Sequence, residues 1–162
     1  AELRRKTAKW HDIDAAIADG YDLNIGCVDE RVAGLPASEA RGMGYHVTPS
    51  DAFGPTGIIG NAQPDGLLNP ELLVYAPAQN DADLPPEKRV RAARLVGFDY
   101  FVPGSPTDDP PTMFGDPYRW SEAFQGWMFH IYAWGHNPDG ITTDWNPAVA
   151  LCTDLVAGEP IE

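Results

Sequence analysis

Basic residues are scarce: 11 Lys and Arg stand against 24 Asp and Glu in 162 residues, a formal net charge of −13. Nucleic-acid phosphates and anionic membrane surfaces are bound mainly through clustered Lys and Arg, so neither is an expected partner. The two short basic clusters, Arg4-Arg5-Lys6 with Lys9 and Lys88-Arg89-Val90-Arg91 with Arg94, read as solvated faces. No stretch approaches the roughly 20 apolar residues of a membrane helix, which argues against membrane insertion. Serines are few, and Ser38, Ser50, Ser105 and Ser121 lie in loop-like contexts. With no Gly-x-Ser-x-Gly elbow, Gly-x-Gly-x-x-Gly fingerprint or Gly-Lys-Ser/Thr phosphate loop, serine hydrolases, dinucleotide enzymes and nucleotide hydrolases are set aside.

Cysteine is nearly absent too. Cys27 and Cys152 are too far apart for a local zinc knuckle or a Cys-x-x-Cys redox pair, which leaves a long-range disulfide or two free thiols. The disulfide is the favoured reading, and since it persists only in an oxidising compartment it points to a secreted or periplasmic protein. The opening Ala1-Glu2-Leu3-Arg4-Arg5, without a methionine or a charged-then-apolar leader, reads as a processed or trimmed product.

What the chain does have is core. At 43% hydrophobic residues it is expected to form a single globular domain over 1–152, with the acidic stretch 153–162 as a loose C-terminal tail. Leu3, Trp10, Ile13 and Ile17 recur at helical period beside Ala8, Ala15 and Ala18, predicting a helix over 3–20 that stops at Gly20. Strand-like runs rich in β-branched and aromatic residues fall at 44–48, 72–76, 93–102 and 126–134. Residues 26–42 and 49–70 carry too many breakers for regular elements and read as loops. The fold class that follows is α+β: a mostly antiparallel sheet or partly closed barrel, with the N-terminal helix packed on it and long Pro/Gly-rich loops.

Four histidines carry the chemistry. His46 and His130 interrupt apolar strands, where a buried imidazole needs a hydrogen bond, a charge or a metal. A period of two puts Asp99 on one face with Leu95, Gly97 and Phe101, and His130 on one face with Met128, Tyr132 and Trp134. A carboxylate and an imidazole that are each costly alone compensate one another if those faces meet, and His46 can join them. We therefore expect His46, Asp99 and His130 to converge, with His11 as the candidate fourth member. Such a set suits a transition metal ion such as zinc, copper, iron or manganese, and would make the chain an exported metal-binding protein or a metalloenzyme acting on a small molecule.

Other readings of the same residues stay open. The trio also suits a metal-free hydrogen-bond network, or acid–base work in which Asp99 orients His130 and Tyr45, Tyr100 or Tyr132 donates to a carbonyl. A non-enzymatic module is the main alternative, with Tyr45, Phe101, Tyr132 and Trp134 lining a small-ligand cavity beside Phe98 and Phe129. A purely structural surface protein is another. His136, in the turn His136-Asn137-Pro138-Asp139-Gly140, is expected to be exposed. Asp139 and Asp144 do not match the EF-hand spacing for calcium.

One resemblance is carried by Gly42-Met43-Gly44-Tyr45-His46, Pro70-Glu71-Leu72-Leu73-Val74-Tyr75, Leu95-Val96-Gly97-Phe98-Asp99-Tyr100-Phe101-Val102-Pro103, His130-Ile131-Tyr132-Ala133-Trp134, Asn137-Pro138-Asp139-Gly140 and Trp145-Asn146-Pro147. From Trp10-His11-Asp12 to Cys152 the chain resembles a family of small exported bacterial proteins to which no activity is assigned. The resemblance implies secretion and a disulfide between Cys27 and Cys152. In that family the position of Asp99 is usually glutamate, one methylene longer.

Overall fold

A computed structural model of the chain describes residues 1–49, 53–54, 57–58, 66–122 and 124–155. The expected N-terminal helix is two helices, α1 (Glu2–Thr7) and α2 (Ile13–Ala18), joined by a 3-10 turn at Ala8–His11. Asp12 breaks the run: its backbone is extended and its side chain accepts from Asp14 N at 3.0 Å, so it caps a new helix instead of continuing the old one. Trp10, Ile13 and Ala16 form the buried stripe, and the Tyr75 hydroxyl donates to Trp10 O at 2.6 Å, fixing the helices to the sheet. A third helix, α3 (Pro86–Ala92), precedes the longest strand.

Six strands make the main sheet: β1 (Tyr21–Asp29), β2 (Gly42–Pro49), β3 (Leu72–Ala76), β4 (Arg94–Pro103), β5 (Arg119–Ser121) and β6 (Gly126–Ile131). They lie in the order β1-β2-β3-β4-β6-β5, and every neighbouring pair is antiparallel. Two short ladders lie apart, Phe53–Gly54 with Gly57–Ile58 and Thr112–Met113 with Asp116–Pro117. The α+β class with a mostly antiparallel sheet therefore holds. The barrel does not, because β1 and β5 remain separate edges. β5 is only three residues long, and the outer side of β1 is taken by a bridge from Cys27 to Leu155. Most of the expected tail, 156–162, lies outside the described residues, while Asp154 pairs with Arg89.

Alternation gives the sheet two different faces. On one, Tyr45, Leu73, Tyr75, Leu95, Phe98 and Phe129 pack with Trp10 and Ile13 into the main core. On the other, two smaller apolar clusters form, one around Val74, Val96 and Tyr132 and one around Leu72, Phe101 and Met128. The trio of His46, Asp99 and His130 belongs to this second face.

A disulfide joins Cys27 to Cys152, with Cα atoms 5.7 Å apart. Beside it, Asp29 is fully buried and accepts from Arg31 Nη2 at 2.6 Å and from Cys152 N at 2.8 Å. Glu30 accepts from Arg41 Nη2 at 2.5 Å. Burial acts to raise the Asp29 carboxyl, but its bonds to Arg31 and Cys152 N outweigh that and hold it below the ordinary range. Glu30 is held low chiefly by Arg41. The unfolded chain thus takes up these protons first, so their stabilisation is present above the ordinary carboxylate range and is lost as pH falls below about 4. Urea unfolding between pH 6 and 3 should show a declining midpoint that flattens in Asp29→Asn.

Candidate metal centre

The register places the three side chains. His130 lies directly opposite Asp99 in the β6–β4 pair, and Leu72 faces Asp99 from β3. His46 pairs with Val74, which pairs with Gly97, so the imidazole reaches Asp99 diagonally over the small side of the sheet. A bulge in β4 at Val96, just before Gly97, turns Leu95 to the helix-bearing face, where it joins the main core; the face shared by Asp99 includes Val96 instead.

The convergence expected of the trio is present. His46 Nε2 lies 3.2 Å and His130 Nε2 lies 3.1 Å from the same oxygen, Asp99 Oδ2. Asp99 is 0% exposed, His46 4% and His130 7%. Their ligand atoms all fall within 4.8 Å of one another, an arrangement that can hold a metal ion. Bonds of about 2.1 Å set neighbouring donors about 3.0 Å apart at right angles and about 3.4 Å apart at tetrahedral angles, which brackets both nitrogen–oxygen distances.

The other ring nitrogens are already committed. His46 Nδ1 is 2.9 Å from Gly44 O, which can only accept, so that nitrogen carries the proton and Nε2 is left as donor to the site. Gly44 has φ +123, and a Cβ there would collide with Tyr75 O, so glycine is what allows this carbonyl to sit behind His46. His130 Nδ1 faces Asp144 Oδ1 at 3.1 Å. Both Asp99 oxygens and His130 Nδ1 are buried without an aligned hydrogen bond, although these contacts are at ion-pair distance. Two nitrogens crowding one oxygen with no N–H along either line is an arrangement that a shared cation satisfies.

Charge within the cluster is mutually compensated. Burial disfavours charge on His130, but Asp99 and Asp144 on its two sides outweigh it and raise its pKa well above the ordinary imidazole value. Burial also opposes charge on Asp99, yet His130 and then His46 draw its carboxyl down. A dication entering here takes the place of the proton that these carboxylates favour on His130, so metal and proton compete for that imidazole.

The remaining sequence candidates are elsewhere. His11 is exposed at the end of the 3-10 turn and stands edge-on to Trp134, ring centroids 4.4 Å apart, outside the cluster. His11 lies with Trp134, which packs against the main core, whereas the trio belongs to the other face of the sheet, so the expected fourth ligand is not supplied by His11. The four aromatic residues do not line one cavity, because alternation distributes them. Tyr45 is in the main core with its hydroxyl on Asp81 at 2.9 Å, and Phe101 packs on Leu72 and Met128. Tyr132 packs on Val96 and Val149, while Trp134 donates to Thr7 Oγ1 at 3.1 Å. A groove lined by Leu3, Leu67, Ile131 and Ala133 includes none of the four. Asp144 is the site residue that pattern reading misses: it lies in an irregular loop, and its sole sequence signal is that this loop follows the strand carrying His130.

The trio thus defines a small, enclosed N2O donor set on one face of an open antiparallel sheet. Compared with protein families, curated proteins and solved structures, the chain matches none. No helix among the described residues is long and apolar enough to cross a membrane.

Proposed function

We propose that this is an exported metal-binding protein in which His46, Asp99 and His130 hold one divalent transition metal ion. The observation that carries the reading is the approach of both Nε2 atoms to one unaligned oxygen of a fully buried carboxylate. Two imidazoles and one carboxylate suit zinc, iron, manganese or copper. Burial separates all three ligands from bulk solvent, while a three-residue set leaves a coordination position open for water or a small molecule. Export is supported by the Cys27–Cys152 disulfide and by the resemblance to small exported bacterial proteins.

Elemental analysis of the purified chain tests this. Wild type and His11→Ala are expected to carry about one ion per chain, and His46→Ala and His130→Ala to lose it, with a melting temperature that falls in chelator only where the ion was bound. A metal-free wild type whose melting temperature responds neither to chelator nor to added zinc would contradict the reading.

A further inference from the structure

Residues 136–147 form an irregular loop after β6 that is fastened from inside. Asn137 and Asn146 are buried, at 8% and 0% exposure. Asn137 Nδ2 donates to Thr143 Oγ1 at 2.9 Å and to Trp145 O at 3.0 Å, while Asn146 Nδ2 donates to His136 O at 3.0 Å. Asn146 N reaches Gly42 O at 2.8 Å, tying the loop to the first residue of β2, the strand of His46. Buried amides that bond both ends of one loop fix its path, because each would be costly if left unpaired.

Between these fastenings stands Asp144. Its backbone oxygen accepts from the Tyr132 hydroxyl at 2.9 Å. Its Oδ1 accepts from Arg119 Nη1 at 2.6 Å and faces His130 Nδ1 at 3.1 Å. The carboxylate is therefore held by a half-exposed arginine on one side and presented to a buried imidazole on the other. An exposed ion pair alone would require none of the asparagine bracing.

We infer that Asp144 is a positioning residue of the metal centre, backing His130 so that Nε2 is directed at Asp99, and that the loop 136–147 is built to hold it there. The inference rests on the metal reading above and assigns the loop motif a role that reading leaves open. A carboxylate behind a ligating histidine fixes the ring and raises its basicity as a donor. His46 has only the Gly44 carbonyl behind it, so the two imidazoles are unequal and His130 is the stronger donor.

Zinc titration of the full chain against a competing chelator, with cobalt(II) absorption as a second readout, tests this. Asp144→Ala is expected to weaken zinc about 10- to 100-fold and to change the cobalt band, whereas Asp144→Asn, which keeps an oxygen facing Nδ1, loses less. Asp139→Ala removes the same charge from the same loop, where it pairs with Arg41 at 2.9 Å, and is expected to bind as wild type does. Asp144→Asn also serves if the alanine variant fails to fold. Wild-type affinity in both Asp144 variants, or an equal loss in Asp139→Ala, overturns the inference and leaves the three-ligand reading standing. A wild-type chain that takes no zinc overturns both.

Discussion

Replacing Asp99 by asparagine is expected to lower the stability of the metal-free protein by about 3–5 kcal/mol and to abolish stoichiometric metal binding. The volume hardly changes, so packing is not what is lost. What is lost is the charge that two buried imidazoles share, and breaking such a pair from one side leaves the partner uncompensated in a region where Asp99 is 0% and His130 7% exposed. His130 keeps Asp144 behind it, whereas His46 keeps only a backbone carbonyl. Urea unfolding in the presence of chelator measures the difference. A change within about 0.5 kcal/mol, the range of an ordinary surface substitution, would mean that the carboxylate is not compensating buried charge.

The disulfide is expected to matter as much. It closes a loop of 125 residues, for which the chain-entropy relation gives about 5 kcal/mol of restriction on the unfolded state. It also joins β1, an edge strand, to the segment that carries Cys152, alongside Asp29 and Arg31, whose bonds to Cys152 N and O are 2.8 and 2.6 Å. A Cys27→Ala, Cys152→Ala double variant should therefore unfold at markedly lower urea and lose the Cys27–Leu155 bridge first, seen as faster amide exchange in β1 than in β4. Uniform exchange, with a midpoint equal to wild type, would remove the role assigned to this link.

The central strands and the site were legible because both depend on short-range alternation. His130 in Trp127-Met128-Phe129-His130 and Asp99 in Phe98-Asp99-Tyr100 each interrupt an apolar run, and a period of two suffices to bring them face to face. Where alternation is broken, reading by pattern fails. The bulge beside Val96 moves Leu95 off the expected face, and the strand of His130 ends at Ile131, so Trp134 packs toward the helices. β1 was hidden because Asp22, Asn24, Gly26 and Asp29 give it the composition of a loop; its place comes from pairing with β2. Of the stripe expected over 3–20, Trp10 and Ile13 are buried but Ile17 is exposed and Ala16 is buried instead, because Asp12 offers a capping bond that competes with continuation and starts a new helix. Asp144 was hidden for another reason: its position is set by two asparagines, an arginine and a tyrosine from separate segments, and no local period encodes that.

Crystals grown with zinc and measured across its absorption edge address the metal centre directly. The account predicts one anomalous peak at about 2.0–2.2 Å from His46 Nε2, His130 Nε2 and an Asp99 oxygen, with His11 unoccupied. Zinc found only on surface carboxylates, with both imidazoles still beside Asp99 and no ion between them, would contradict it.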